Sequence, residues 1–180
     1  VVGGGNTALD AARSALRLGA EEVTFVYRRS EKEMPARVVE IAHAKEEGIK
    51  FQLLTQPVEF LGNEEGLVRA MECVDMELCD KDESGRCSVK EVKGSNFIIP
   101  VDMVIVAVGL LPNPVVPSLT PELKTDKHGY LIVDERFMTS IPGIFAGGDI
   151  VGGDTVIQAM GMAKKATEFI LEWLDKKPDR

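Results

Sequence analysis

The sequence predicts an α/β fold: a parallel β-α-β unit, an inserted antiparallel meander, and a shorter second α/β segment. Three observations carry that prediction. Val1-Val2 runs directly into Gly3-Gly4-Gly5 and an Ala/Leu-rich amphipathic stretch, the pattern of strand, tight turn and helix. Between about residues 58 and 92, apolar and polar residues alternate between turns rich in Gly, Asn and Asp, as antiparallel strands do. Glycine-rich turns at 147–153 open a long final helical stretch.

Taken in order, Gly3-x-Gly5-x-x-Ala8 fits the G-x-G-x-x-G/A dinucleotide fingerprint. The first glycine permits the turn, the second lets a pyrophosphate approach the backbone, and the small third residue lets helix and strand pack closely. Gly3, Gly4, Gly5, Asn6, Thr7 and Ala8 are therefore the candidate phosphate cradle, with the N–H groups and positive end of the helix facing the phosphates. That helix is predicted over Thr7 to Leu18, with Ala8, Ala12, Ala15 and Leu16 on one stripe. Asp10 near its start and Arg17 near its end suit its dipole, and Gly19 stops it. A strand follows at Val23 to Tyr27. At the end of this strand an NAD site usually places Asp or Glu against the ribose 2′-hydroxyl. Tyr27-Arg28-Arg29-Ser30 stands there instead. A carboxylate would repel a 2′-phosphate, whereas guanidiniums would bind it. Arg28 and Arg29 thus point to NADP(H) over NAD(H); the alternative is two solvated charges at a strand end.

A second helix is predicted from Pro35 to Glu47 and a third strand from Ile49 to Leu54. The meander strands are Val58 to Leu61, Leu67 to Leu78 and Cys87 to Val92. Their turns are Gly62 to Gly66 and a solvated acidic tip at Asp80 to Gly85. Val68, Ala70, Val74, Met76 and Leu78 share one face and read as core. Met103 to Val108 is a continuous apolar run, expected of a parallel strand buried on both faces. Gly109 then lies at its carboxyl end, where such sheets bind ligands. Prolines after Asn113 mark a domain boundary, giving domains of 1–113 and 114–180. The second holds short strands at Tyr130 to Val133 and Ile144 to Ala146. Gly147-Gly148-Asp149 and Gly152-Gly153-Asp154 follow, then a helix over Thr155 to Asp175. Ala159, Ala163, Ala166, Ile170 and Leu174 form its expected buried stripe.

The 180 residues carry a net charge of −8, which argues against nucleic acid as a partner. No apolar run is long enough to cross a bilayer, so no membrane association is expected. Cys73, Cys79 and Cys87 are odd in number and contain no C-x-x-C, as expected of reduced thiols in a cytoplasmic protein without a metal site. Val1-Val2 is short for a first strand and the C-terminal segment is small for an independent core. The chain is therefore expected to be a piece of a longer protein.

Together these motifs resemble the two-dinucleotide-binding-domain flavoproteins, and within them the small (β) subunit family of NADPH-dependent glutamate synthase. Relatives include the NADH-dependent ferredoxin–NADP oxidoreductase large subunit, sulfide dehydrogenase and part of dihydropyrimidine dehydrogenase. The resemblance rests on Val2 to Asp10, Tyr27-Arg28-Arg29, Glu33-Met34-Pro35-Ala36, Glu47-Gly48, Ser84-Gly85-Arg86, Gly109 with Pro112-Asn113, Gly143 to Asp149, and Gln158-Ala159-Met160-Gly161. It implies a Rossmann-like NADP-binding domain with an antiparallel meander insertion, plus the C-terminal part of an FAD-binding domain. Gly148 and Asp149 would belong to the FAD side, with Asp149 bonding the ribityl chain. The backbone at Thr155 and Val156 would lie near the flavin's pyrimidine edge. The implied reaction passes hydride from NADPH to FAD and electrons through 4Fe-4S clusters to a glutamate synthase large subunit or another electron-accepting subunit. The clusters would not be ligated by this chain. The chain names no catalytic acid, base or nucleophile, and alone it is expected to be inactive and to hold little or no FAD. The alternatives are a non-catalytic NADP(H)-binding module, or an NADH-dependent subunit of the ferredoxin–NADP or sulfide dehydrogenase type.

Overall fold

In the computed structural model, residues 1–81, 87–153 and 155–176 are described. Most of the acidic turn at Asp80 to Gly85, the Ser84-Gly85-Arg86 motif and Asp154 fall outside them. The chain divides into two compact units, Val1–Gly109 and Leu110–Arg180.

The first unit begins with Val1-Val2, which lies between two parallel neighbours. Val2 bridges Val26 on one side and Val106 on the other. Helix α1 (Asn6–Arg17) follows, then β1 (Thr24–Tyr27), a 3₁₀ turn (Glu31–Glu33), α2 (Val38–Glu46) and β2 (Lys50–Leu53). Strands β1 and β2 pair in parallel with Phe25 opposite Phe51. The apolar run of β1 is explained by cover on both of its faces. Phe25 packs among Leu9, Ala12, Ile41 and Ala44 of the two helices. Val26 points the other way, into a cluster with Met71 and Cys73.

The meander is antiparallel throughout. Strand β4 (Val68–Lys81) pairs with β3 (Thr55–Gly62), β5 (Cys87–Glu91) and β6 (Phe97–Pro100). Both of its faces are used: Ala70, Val74 and Met76 are buried, as the alternation predicts, but so are Met71 and Cys73. Leu78, expected on the buried face, is exposed.

Three expectations for this unit need correction. Asp10 lies beyond the first turn of α1, which holds no acidic residue. The second helix starts at Val38 rather than Pro35, because Ala36 N–H donates to the Gly4 carbonyl at 3.3 Å and holds the chain extended. The run at 103–108 is not buried on both faces. Among the described residues its ladder contact with the sheet is to Val2, and Met103, Val106 and Val108 are 72%, 57% and 68% exposed. A continuous apolar run marks a strand that can be covered on both faces. It does not supply the cover.

In the second unit, α3 (Val115–Leu119), a 3₁₀ turn (Gly148–Val151) and α4 (Val156–Asp175) are the helical elements among the described residues. The strands expected at 130–133 and 144–146 appear as isolated bridges, Thr125 with Leu131, Val133 with Thr139, and Met138 with Phe145. The buried stripe of α4 is rotated from the expected one. Ala166 is buried and Ala159 and Ile170 half-buried, but Ala163 and Leu174 are exposed. Met162, Phe169 and Trp173 take their place. Trp173 stacks edge-on to Phe145 with ring centroids 6.4 Å apart, and its ring fills the space that a Cβ at Gly143 would need. Among the described residues no helix is long and apolar enough to cross a membrane.

Helices α1 and α2 are clamped by charge. Arg13 reaches Glu40 at 2.7 Å and Glu47 at 2.9 Å, and Arg17 also pairs with Glu47. Hydrogen bonds from Arg17 and then Arg13 pull the Glu47 carboxyl from its usual 4.5 to about 2. A carboxyl whose folded value is depressed stabilises the fold above its unfolded value and loses that contribution as pH falls toward the folded one. Thermal unfolding followed from neutral pH downward is therefore expected to show a fall in melting temperature below about pH 4.5 that Glu47→Gln reduces. The thiols give a second test. Burial, and secondarily the Glu72 charge, pushes the Cys73 thiol up to about 11, while Cys79 is exposed. A maleimide probe at neutral pH is expected to label Cys79 in the native chain and Cys73 only after unfolding.

Candidate functional site

The glycine loop leaves the carboxyl end of the central Val1-Val2 segment, flanked by the carboxyl ends of β1 and of the 103–108 segment. Its backbone is fixed on both sides. Val2 donates to Ile105 O at 2.8 Å, Ala107 donates to Val2 O at 2.7 Å, and Gly3 donates to Val26 O at 3.0 Å.

The three glycines differ in what requires them. A Cβ on Gly3 would lie 2.4 Å from the Ala107 carbonyl oxygen and 2.7 Å from the Ala8 Cβ. One on Gly4 would lie 2.2 Å from the Tyr27 ring. These two glycines are demanded by packing. Gly5 is not: a Cβ there meets nothing within 4 Å, and its φ of −96° suits any residue. The fold leaves open space in front of Gly5. Behind it, Ala8 is fully buried, as the close approach of helix to strand requires.

Gly5 also caps α1, and no side chain bonds the helix's first N–H groups. Ala8 and Leu9 turn their amides back to the Gly5 carbonyl. Asn6 and Thr7 thus stand at an uncapped helix start, which has a partial positive charge and no acid in its first turn. The Asn6 side chain faces the other way, with Oδ1 accepting from Arg37 N–H at 2.9 Å.

The two arginines after β1 are placed differently. Arg28 is exposed and has no hydrogen-bond or ion-pair partner among the described residues. Arg29 is half-buried, and its Nε donates to the Cys87 carbonyl on β5 at 2.8 Å. Arg29 therefore fastens β1 to the meander with part of its guanidinium.

Two neighbouring groups were not among the candidate site residues. Arg37 is exposed, likewise unpaired among the described residues, and one hydrogen bond from Asn6. Glu33 accepts from Tyr27 Oη through its carbonyl at 2.9 Å and from Ser30 Oγ through its carboxylate. The Ser30 hydroxyl is the main reason the Glu33 carboxyl sits below the usual range, against partial desolvation. Both residues lie in or beside the Glu-Met-Pro-Ala motif, the signal that could have marked them.

Gly109, at φ 94°, ends the segment beside the loop, with open space where a Cβ would be. The remaining candidates are in the second unit. Gly148 is buried at φ 75°, its amide donates to Met162 Sδ at 3.3 Å, and its carbonyl accepts from Gly153 N–H at 3.0 Å. Asp149 is exposed, and its carboxylate has no partner among the described residues. Thr155 caps α4 by accepting from Gln158 N–H at 3.3 Å, and Val156 opens the helix exposed. No group of three or more His, Cys, Asp or Glu side chains among the described residues could hold a metal ion.

The chain is 42% identical to the NADP(+)-dependent formate dehydrogenase subunit beta of Moorella thermoacetica over 97% of its own length and 24% of the relative's. It is 39% identical to the glutamate synthase [NADPH] small chain of Escherichia coli over 97% of its length and 38% of the relative's. It thus spans well under half of these curated relatives. Among solved structures, it is similar to T. acidophilum thioredoxin reductase, with a TM-score of 0.73, 26% identity, and coverage of 97% of this chain and 51% of that one. Mycobacterium tuberculosis FprA in complex with NADPH, at 19% identity and a TM-score of 0.72, shares the α/β fold over 97% of this chain and 52% of that one. Over residues 1–167 the chain matches the pyridine nucleotide-disulphide oxidoreductase family, and it belongs to that family.

Proposed function

We propose that residues 1–109 bind NADP(H), as part of a flavoprotein oxidoreductase subunit of the glutamate synthase type. The observation that carries this reading is Gly5. The fold gives no reason for glycine there, and a side chain would fill the space before an uncapped helix start. A pyrophosphate in that space would receive the N–H groups of the first turn of α1. Arg28 and Arg37, both unpaired among the described residues, would supply the positive charge for the remaining phosphate. Arg29 contributes less than its neighbour, because its Nε is engaged by Cys87.

On the same reading, Gly148, Asp149 and the start of α4 at Thr155-Val156 would contact FAD. They fit that group in two respects: the Asp149 carboxylate is open to a hydroxyl donor, and the turn at Gly148 is held at φ 75°, a conformation that disfavours any side chain there. Bound NADPH would supply the hydride and bound flavin would accept it. The chain's own residues hold and orient the two groups, and none acts as an acid, base or nucleophile. The names of the relatives, a small chain and a subunit beta, support a partner subunit. On this reading that subunit takes the electrons onward through iron–sulfur centres.

Equilibrium titration of the chain with each nucleotide is expected to show tighter binding of NADPH than NADH. Arg28→Ala is expected to weaken NADPH by roughly 1.5–3 kcal/mol, the worth of a charge-assisted contact, and to leave NADH nearly unchanged. Equal losses for both nucleotides would sink the 2′-phosphate assignment. Arg37→Ala is expected to weaken NADPH by a similar factor, and an unchanged affinity would remove Arg37 from the site.

A further inference from the structure

The stretch Tyr27 to Ser30 holds one unbonded side chain among three that are tied down. Tyr27 Oη donates to the Glu33 carbonyl at 2.9 Å. Ser30 Oγ donates to the Glu33 carboxylate. Arg29 Nε donates to the Cys87 carbonyl at 2.8 Å, and the Cys87 thiol makes a long contact to Glu33 Oε1 at 3.9 Å. The Arg29 carbonyl is held as well, accepting from Leu54 N–H at 3.2 Å. Leu54 sits at φ 49°, a conformation that a non-glycine residue adopts only when its surroundings impose it. Tyr27 and Ser30 are thus bonded directly to Glu33, while Arg29 is tied to β5 at Cys87, whose thiol touches the same carboxylate. Arg28 has no bond of its own among the described residues.

A glutamate that closed only the 3₁₀ turn would need the Ser30 contact alone. Glu33 uses its carbonyl and both carboxylate oxygens, on partners from β1, from the turn and from β5, which is 54 residues away in the chain. We propose that Glu33 is a positioning residue for NADP(H) selectivity: its carbonyl bond to Tyr27 and its carboxylate bond to Ser30 fix the backbone on both sides of Arg28, so that the unpaired Arg28 side chain leaves a fixed point toward a 2′-phosphate. The gain is preorganisation, since a guanidinium on a fixed backbone loses less freedom on binding. The carboxylate itself faces Ser30 and Cys87 and touches no nucleotide. This role rests on the NADP(H) reading of the glycine loop and goes beyond it by assigning the selectivity to a residue with no phosphate contact.

The test compares NADPH and NADH affinities of the wild-type chain, Glu33→Ala, Ser30→Ala and the double substitution. Each single change is expected to lower the NADPH-to-NADH affinity ratio about five- to tenfold, the worth of about one ordinary hydrogen bond. The double change is expected to do no more than Glu33→Ala alone, because that substitution already removes the Ser30 bond. Glu33→Gln keeps the volume and an acceptor for Ser30, so its ratio is expected to stay near wild type. An unchanged ratio in Glu33→Ala would overturn the proposal. Parallel losses for both nucleotides would also overturn it, since a turn of purely structural importance gives that result. So would a multiplicative double substitution, or a Glu33→Gln ratio as low as that of alanine. A wild-type chain with no preference for NADPH would instead overturn the NADP(H) reading itself, and this inference with it.

Discussion

Gly3 and Gly4 lie where the sheet, helix α1 and the ring of Tyr27 converge with no space between them. A single methyl group at either position would meet the Ala107 carbonyl or the Tyr27 ring well inside contact distance. That crowding fixes the direction in which the chain leaves Val2 and enters α1. The direction of α1 in turn presents its uncapped first turn at the carboxyl edge of the sheet. Tyr27 does double duty: its ring closes over Gly4 and its hydroxyl anchors Glu33. The packing of the loop and the organisation of the segment after β1 are therefore one structure.

Charge is distributed in the same sense. The chain is acidic overall, with a net charge of −8. Other arginines are spent on glutamates: Arg13 and Arg17 of α1 on Glu40 and Glu47, and Arg136, in a turn of the second unit, on Glu172. Arg28 and Arg37, which flank the glycine loop, have no such partner among the described residues. Unpaired guanidiniums beside an uncapped helix start make a local positive field on an acidic protein, the condition that favours a polyanionic ligand.

Much of this was legible in the sequence because it is written in local pattern. The glycine spacing, the Ala/Leu stripe of α1 and the alternation of β4 are each set by residues a few positions apart. The glycine-rich turns at 147–153 likewise announce the start of α4. What was not legible depends on distant partners. Arg29 reads like Arg28 until β5 brings the Cys87 carbonyl to it across 58 residues. Arg37 reads as part of a helix until Asn6 and Gly4 hold its segment extended. The apolar run at 103–108 reads as doubly buried, because sequence records the capacity of a strand to be covered and not what covers it. The stripe of α4 was read only in part for a related reason: Ala166 is buried as expected, but Trp173 packs where Gly143 leaves room, a partner 30 residues away in the chain.

The central claim is that the space before Gly5 receives a nucleotide pyrophosphate. Amide NMR of the isotope-labelled chain during titration with NADP⁺ tests it most directly, because each residue reports separately. The account predicts large, saturable shifts at the amides of Gly4, Gly5, Asn6, Thr7 and Ala8, with Arg28 moving at the same nucleotide concentration. A saturable response elsewhere in the chain that leaves residues 3 to 8 unmoved would contradict it.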